Sequence, residues 1–268
     1  MLTFAVYRPG TFEMGSPETE RDRSTYESPR HQVRLSRPFA VCTGEVTRGA
    51  FERFMTDADV TGLPNIDEWS PQPNEPVVAA TWFEAVHYCH WLTEHTDLGT
   101  EQQCYDNVEA LRGQVPGDRD DIDLTRYGFR LPTEAEWEYA CRAGTVTPFS
   151  FGSDPSLLDH YGWSQSNSGL KTHAAGILRP NRRGLFNIHC NSWEWCLDWY
   201  GPYLPASQVD PAGLPTADRR VLRGGCWNLA ARYGRSACRN AHLGTNRNYY
   251  IGFRLVRTMP ASPDETAP

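Results

Sequence analysis

The stretch Tyr127-Gly-Phe-Arg-Leu-Pro-Thr-Glu-Ala-Glu-Trp-Glu-Tyr-Ala-Cys-Arg-Ala-Gly144 predicts a helix with a marked beginning and end. Thr133 is followed three residues later by Glu136, the spacing of a capping box, in which each side chain bonds the other residue's backbone N–H. Gly144 supplies a common C-terminal stop. The apolar residues between them recur at helical spacing and predict an inward face, made of Trp137, Ala140 and Cys141.

Two more helices are predicted on the N-terminal side of that stretch. One begins after Thr47, and the other begins after a second capping box formed by Thr81 and Glu84. Their apolar residues recur at helical spacing, namely Ala50, Phe51, Phe54 and Met55 in the first and Ala85, Val86, Cys89 and Leu92 in the second. Short strand candidates lie at 32–35, 39–41, 220–223 and 252–256. This pattern is typical of an α+β fold with few short helices, small antiparallel sheets and much ordered loop.

The composition predicts one loop-rich globular domain. The chain of 268 residues is 39% hydrophobic and 12% aromatic, which is enough apolar material for a sizeable core. It also contains 22 glycines and 20 prolines, so we expect many turns between large rigid side chains. One domain is predicted over residues 1–258. Within it, residues 61–123 are predicted to be a loop-rich insertion around the second helix, and residues 259–268 a flexible tail.

Charge and hydropathy exclude several classes of protein. Asp and Glu outnumber Lys and Arg by 33 to 26, which disfavours nucleic acid as a partner. No run approaches the roughly 18 apolar residues of a membrane span, and the first residues lack the basic and apolar regions of a signal peptide. We therefore expect a cytoplasmic protein with no membrane partner, whose eight cysteines are thiols.

Arginine is concentrated near the C-terminal end. Residues 219–257 contain nine arginines and no Asp, Glu or Lys. Such a series can follow nucleic-acid phosphates. The favoured interpretation is structural, because a planar guanidinium can bond several backbone carbonyls of an irregular loop at once.

Several blocks along the chain carry a family resemblance. With the opening stretch they are Gly10-Thr-Phe-Glu-Met-Gly-Ser16, Gly44-Glu-Val-Thr47, Gly184-Leu-Phe-Asn-Ile-His-Cys-Asn-Ser-Trp-Glu-Trp-Cys-Leu-Asp-Trp-Tyr200, Arg220-Val-Leu-Arg-Gly-Gly225 and Ile251-Gly-Phe-Arg254. Together they resemble the formylglycine-generating-enzyme (sulfatase-modifying factor) family, and they stand in family order. The resemblance implies an irregular variant of the C-type lectin fold with its termini close together.

The resemblance does not extend to the oxidase chemistry of the family. In the oxidase members a pair of cysteines binds copper(I), an ion that prefers soft thiolate ligands. The matching positions here are Leu229 and Gly234, and neither residue can ligate copper or exchange with a substrate thiol. We therefore expect no copper and no formylglycine chemistry, and an enzymatic role is disfavoured.

A calcium site is also implied by the resemblance. The positions that match the family's metal ligands are Asn187, Cys190, Ser192 and Glu194, two of which ligate through backbone carbonyls. Oxygen ligands suit a hard cation. Cys190 departs from the usual glycine, which would strain the loop if a positive φ is required there. The alternative is that Glu194 is a buried carboxylate paired with an arginine.

Residues 226–254 resemble the variable region of proteins diversified by retroelements. There, adenines of Asn codons are replaced, so an AAC codon can come to encode Leu, Ala, Tyr, Gly, Cys, His or Thr, but not Lys, Glu, Gln, Met or Trp. The candidate variable positions are 228–231, 233, 234, 237, 238, 240–246 and 248–250, and the residue at each of them is one that an altered Asn codon can encode. The alternative is simple drift of an oxidase-like sequence.

A diversified segment predicts a binding surface for a protein ligand. Arg232, Arg235, Arg239, Arg247 and Arg254 are expected to anchor the loop backbone. The side chains among them resemble an adaptable paratope, in which Tyr gives contact area and small polar residues give hydrogen bonds. The predicted ligand-binding residues are Trp227, Asn228, Leu229, Ala230, Ala231, Tyr233, Gly234, Ala237, Asn240, Ala241, His242, Leu243, Thr245, Asn248, Tyr249 and Tyr250.

Two other functions stay open at this point. One is an oxidoreductase on the same fold with altered cofactor chemistry, with Cys226, Cys238 or His242 near its centre. The other is a scaffold or regulatory subunit of a bacterial signalling or defence system, for which the acidic run at 118–123 would be a docking feature.

Overall fold

The computed structural model describes residues 2–105 and 122–261, and this part contains three α-helices. They are α1 (Arg48–Asp57), α2 (Trp82–Glu94) and α3 (Glu134–Arg142). Each begins after its predicted threonine cap, whose hydroxyl accepts a backbone N–H from the first turn. The three predicted helices are confirmed. None of the described helices has the length and apolar character needed to cross a membrane.

The described strands form three small sheets. The strands are β1 (Phe4–Tyr7), β2 (Gly10–Met14), β3 (His31–Leu35), β4 (Phe39–Cys42), β5 (Phe129–Arg130), β6 (Trp193–Trp199), β7 (Gln208–Val209), β8 (Arg220–Arg223), β9 (Arg239–His242), β10 (Ile251–Gly252) and β11 (Val256–Thr258). The sheet orders are β1-β4-β11-β5, β10-β6-β8-β9 and β2-β3-β7. The β10–β6 and β3–β7 pairings are parallel and the others are antiparallel.

The predicted α+β class is confirmed, and one predicted strand is wrong. Residues 252–256 were expected to be one strand, but the chain crosses there between sheets, from β10 beside β6 to β11 beside β4 and β5. The crossing occurs where the side chain of Arg254 turns inward to bind Glu194. A hydrophobic pattern alone does not distinguish a continuous strand from two short ones in different sheets.

The largest fully buried side chains are four tryptophans, namely Trp82, Trp137, Trp193 and Trp195. Three of their indole N–H groups have buried acceptors. Trp82 donates to the Cys196 carbonyl at 2.9 Å, Trp195 donates to the Ala80 carbonyl at 3.0 Å, and Trp137 donates to the Glu194 carboxylate at 2.7 Å. A buried indole needs such an acceptor, so these bonds fix how α2 and α3 lie against β6.

Each capping-box glutamate also binds an arginine. Besides the two predicted boxes, Ser24 and Glu27 form a third one at a short 3-10 helix. The three glutamates and their arginines are Glu27 with Arg235, Glu84 with Arg247 and Glu136 with Arg130. In every box the carboxylate accepts both a guanidinium and the backbone N–H of the cap residue. The first two of these helix starts are therefore tied to the distant C-terminal segment by charge-assisted hydrogen bonds, and the third is tied to neighbouring strand β5.

Removing Arg235 is expected to destabilise the fold more than removing Arg247. Arg235→Met would leave two carboxylates, Glu20 and Glu27, buried without their cation, at a cost of about 3–5 kcal/mol in unfolding free energy. Arg247→Met is the matched control, because the Arg247 side chain is 31% exposed against 4% for Arg235 and because only one carboxylate, Glu84, would lose its cation, so we expect a smaller loss. Urea denaturation measures both, and equal losses would contradict the expectation.

Candidate functional site

The backbone of residues 226–254 is held by donors that do not depend on its exposed side chains. Four carbonyls are bonded in this way: Gly244 by the N–H of Trp82 at 3.0 Å, Asn248 by the N–H of Ala79 at 3.1 Å, Tyr250 by the N–H of Trp193 at 2.8 Å, and Tyr249 by the indole of Trp227 at 3.2 Å. Because these bonds use main-chain acceptors, a side chain in the loop can change without releasing them.

Arginine side chains add a second set of anchors, as predicted, but mostly through glutamates. Arg235, Arg239, Arg247 and Arg254 each bind a carboxylate through two nitrogens and at least one backbone carbonyl. Arg232 is the exception among the five. Its side chain is exposed and lies over the ring of Tyr233, 5.0 Å from the centroid, so the predicted anchoring role is wrong for this residue.

A groove of about 480 Å³ opens between residues 226–254 and the N-terminal loop that contains Asp22 and Ser24. Its walls come from both parts of the chain: Asp22, Ser24, Glu27, Trp193, Leu229, Arg232, Tyr233, Arg235, Cys238, Arg239 and Asn240. Arg235 is already bound to Glu27 of the same walls, and Arg239 is bound to Glu134, which lies outside them. Of the predicted ligand-binding residues, the groove brings together Leu229, Tyr233 and Asn240.

Four of the predicted ligand-binding residues are buried and do not face solvent, namely Trp227, Gly234, Ala237 and Ala241. The prediction that these four side chains face a ligand is wrong. Trp227 turns inward to bond the Tyr249 carbonyl, and Ala241 lies on β9 opposite the buried Val221 of β8. The other twelve positions are half-buried or exposed, and Ala230, Leu243, Thr245 and Tyr249 are the most open of them.

Cys190 occupies the space beside position 234. Its thiol lies where a Cβ on Gly234 would come within 2.6 Å of Sγ, and a Cβ on Gly225 would come within 2.7 Å. Cys190 itself has φ of 69°, the left-handed region that favours glycine. The strain expected from a positive φ is therefore present. Position 234 is closed to a larger side chain while Cys190 stays in place, so its predicted variability does not fit the packing.

The two cysteines that flank this region are poor nucleophiles. Cys226 and Cys238 are buried, and burial raises the pKa of each thiol to about 12. The thiolate, which is the metal ligand and the nucleophile, is therefore scarce at neutral pH. His242 is half-buried on β9, and its ring nitrogen contacts the Asn246 amide at 2.9 Å.

The predicted calcium ligands lie in one loop, but their carboxylate is already bound. Arg254 binds both oxygens of Glu194 at 2.6 Å. Asn187 Oδ1 and Ser192 Oγ are buried without a hydrogen-bond partner, and the Cys190 carbonyl accepts the N–H of Trp163. Glu194 is the only carboxylate among the four predicted ligands, and the Arg254 guanidinium occupies both of its oxygens. This arrangement therefore does not fit a divalent cation. Calcium stays a prediction, open to test with a chelator.

The described part of the chain contains no group of three or more His, Cys, Asp or Glu side chains placed to hold a metal ion. The acidic run at 118–123 lies outside the described residues as far as residue 121, so its docking role stays a prediction. The tail is described only to residue 261.

A buried acid lies beside the start of α3. It is Asp198 of β6, whose carboxylate accepts the backbone N–H of Glu134 at 2.8 Å. Glu134 itself is bound by Arg239. Burial, followed by the charge of Glu134, raises the pKa of Asp198 to about 8. The folded protein therefore keeps a proton on this side chain at neutral pH.

Sequence reasoning missed the N-terminal wall of the groove and the aromatic side chain that stacks on Tyr249. Asp22 and Ser24 line the groove, and the ring of Trp69 lies 3.7 Å from that of Tyr249. The Ser24–Glu27 capping-box spacing was a usable signal for order in the N-terminal loop. Nothing in the local sequence indicates that Trp69, far away in the chain, meets the segment.

Comparison with known proteins identifies a family that the chain matches over most of its length. A family model described as sulfatase-modifying factor enzyme 1-like domain matches residues 3–259. The chain is 30% identical to the formylglycine-generating enzyme of Streptomyces coelicolor, in an alignment that covers 92% of this chain and 86% of that protein.

Two solved structures have a similar fold. Treponema denticola variable protein 1 matches with a TM-score of 0.79 at 28% identity, over 96% of this chain and 95% of that one. PvdO from Pseudomonas aeruginosa matches with a TM-score of 0.77 at 24% identity, over 97% and 98% of the two chains, and shows likeness of fold alone. Both resemblances drawn from the sequence are confirmed by these matches.

Gly234→Ala is expected to destabilise the protein through its clash with Cys190. The new Cβ would overlap the thiol, and overpacking of this kind costs about 1–3 kcal/mol. Cys190→Gly removes the thiol and the strain of positive φ, so the double variant should recover most of that loss. Thermal unfolding of the two single variants and the double variant measures the coupling. Strictly additive effects would contradict the packing described here.

Asp198→Asn is expected to stabilise the protein more at pH 8 than at pH 5. The pKa of Asp198 is raised from 3.8 to about 8 on folding. The stability that its proton contributes is therefore complete below pH 3.8 and is lost progressively as pH rises to about 8. An amide cannot ionise in either state, so its advantage over aspartate grows across this window, and we expect the gain to be larger at pH 8 by about 1 kcal/mol or more. Urea denaturation at both pH values, with the exposed Asp218→Asn as control, tests this; an equal gain at pH 5 would contradict it.

Proposed function

The chain belongs to the sulfatase-modifying factor enzyme 1-like domain family, and from that premise we propose that it is a non-catalytic binding protein that holds a protein ligand on residues 227–250. The main support for this proposal is that the backbone of the segment is held by the fold, whereas many of its side chains are free of that task. Its main chain is bonded to the rest of the fold, whereas twelve candidate side chains are half-buried or exposed. A surface of this kind can change its side chains without losing its shape.

The chemistry of the open positions suits protein recognition. They combine the rings of Tyr233, Tyr249 and Tyr250 with short polar and apolar side chains. Tyrosine gives a large contact area at low entropy cost, and small polar residues adapt their hydrogen bonds to the partner. The similarity to a protein titled variable protein 1 supports the idea that these positions are diversified.

An oxidoreductase is the second candidate, because the chain is similar to proteins named formylglycine-generating enzyme. This candidate is disfavoured because Leu229 and Gly234, which cannot bind copper, stand at the positions of the copper cysteines. It is also disfavoured because the Cys190 thiol fills the space beside Gly234 that a larger side chain would need. The high pKa of the Cys226 and Cys238 thiols further disfavours thiol chemistry. Copper(I) titration discriminates the two candidates: a tight stoichiometric site that is lost on Cys226→Ser or Cys238→Ser would favour the oxidoreductase.

A display experiment tests the binding role. Ala230, Leu243, Thr245 and Tyr249 are replaced together by residues that an altered Asn codon encodes, and the library is displayed on yeast. Most members are expected to fold, because exposed substitutions away from special features change stability by less than about 0.5 kcal/mol each. Sorting against lysozyme as a probe protein is expected to yield binders.

The matched control is a library at the buried positions Gly234, Ala237 and Ala241. Few of its members should fold, since each larger side chain would overpack the interior. The proposal would be abandoned if the exposed library folds no better than the buried one, or if it folds well and gives no binder to lysozyme or to a second probe protein.

A further inference from the structure

Trp69 lies against the exposed ring of Tyr249. The two rings are stacked, with centroids 3.7 Å apart and planes inclined by 21°. Tyr249 is 37% exposed and Trp69 is half-buried. The pair is therefore at the surface, at one end of the predicted ligand-binding residues.

Trp69 is held in place independently of Tyr249. Its backbone N–H donates to the Ile66 carbonyl at 3.0 Å. Its carbonyl accepts both the backbone N–H and the hydroxyl of Thr172, each at 2.8 Å. The indole also packs against the larger core cluster. A change at position 249 therefore leaves the tryptophan where it is.

Tyr249, in turn, does not need the stack to hold its own backbone. The Trp227 indole bonds its carbonyl at 3.2 Å, and the neighbouring carbonyls of Asn248 and Tyr250 are bonded by Ala79 and Trp193. Loss of the Tyr249 ring would thus uncover one face of Trp69 and leave a slot as wide as one planar ring.

We propose that Trp69 is a fixed part of the ligand-binding surface, and that the residue at position 249 decides whether its indole face is covered or open. When position 249 is small, the open face takes a planar aromatic side chain from the protein ligand, in the place that the Tyr249 ring fills here. Offset stacking on indole is the favoured geometry for such a ring. This inference rests on the proposed function, since it extends the same surface to a residue outside the variable segment.

A small probe tests the slot directly. p-Cresol, the side-chain analogue of tyrosine, is expected to bind Tyr249→Ala in saturation-transfer NMR and not the unaltered protein, in which the slot is filled. Tyr249→Ala combined with Trp69→Ala should lose this binding. Leu243→Ala, which removes another exposed apolar side chain of the same loop, is the matched control and should not bind. Thermal unfolding confirms that each variant is folded.

Binders from the display library test the link to a protein ligand. Binders with a small residue at position 249 are expected to lose about 10-fold or more in affinity on Trp69→Ala, and those that keep Tyr249 are expected to lose less. Absence of p-cresol binding, or equal binding without Trp69, would overturn the inference. Binders that are indifferent to Trp69 would also overturn it and leave the proposed function standing. A library without any binder would instead remove the proposed function.

Discussion

Buried ion pairs between arginine and glutamate are the interaction on which the rest of the structure depends. Arg235 and Arg254 lie in the C-terminal segment, and their partners Glu27 and Glu194 come from distant parts of the chain. A buried guanidinium without a carboxylate is strongly destabilising, so neither partner is dispensable. The pairs hold an irregular segment in a single conformation, which hydrophobic packing alone specifies poorly in a chain with so little regular structure.

The same pairs separate the framework from the surface. Arginine side chains and main-chain hydrogen bonds fix the path of residues 226–254, so the exposed side chains between the anchors contribute little to that path. Arg232, which has no anchoring partner of this kind, is exposed on the groove side and belongs with the surface. In the proposed binding role, stability and recognition therefore fall to different residues of one segment, and changes in recognition need not weaken the fold.

Packing couples positions 190 and 234. Cys190 stands in a left-handed conformation, and its thiol fills the space that a side chain at position 234 would need. A cysteine at 234, where the resemblance to the oxidase members implies a copper ligand, is therefore sterically incompatible with the thiol at 190. The two positions constrain each other, as neighbours in a close-packed core do.

The sequence by itself determined the α+β class, the three helices and the family, because capping boxes and family blocks are local patterns that a short stretch carries in full. It also indicated that the arginines hold the C-terminal segment. Only the tertiary structure decided that glutamates receive them, that residues 252–256 are divided between two sheets, and that Trp227 and Ala241 turn inward. The stacking of Trp69 on Tyr249 was also decided by the tertiary structure. Each of these depends on which distant side chains come within contact distance, and that is set by the packing of the whole chain.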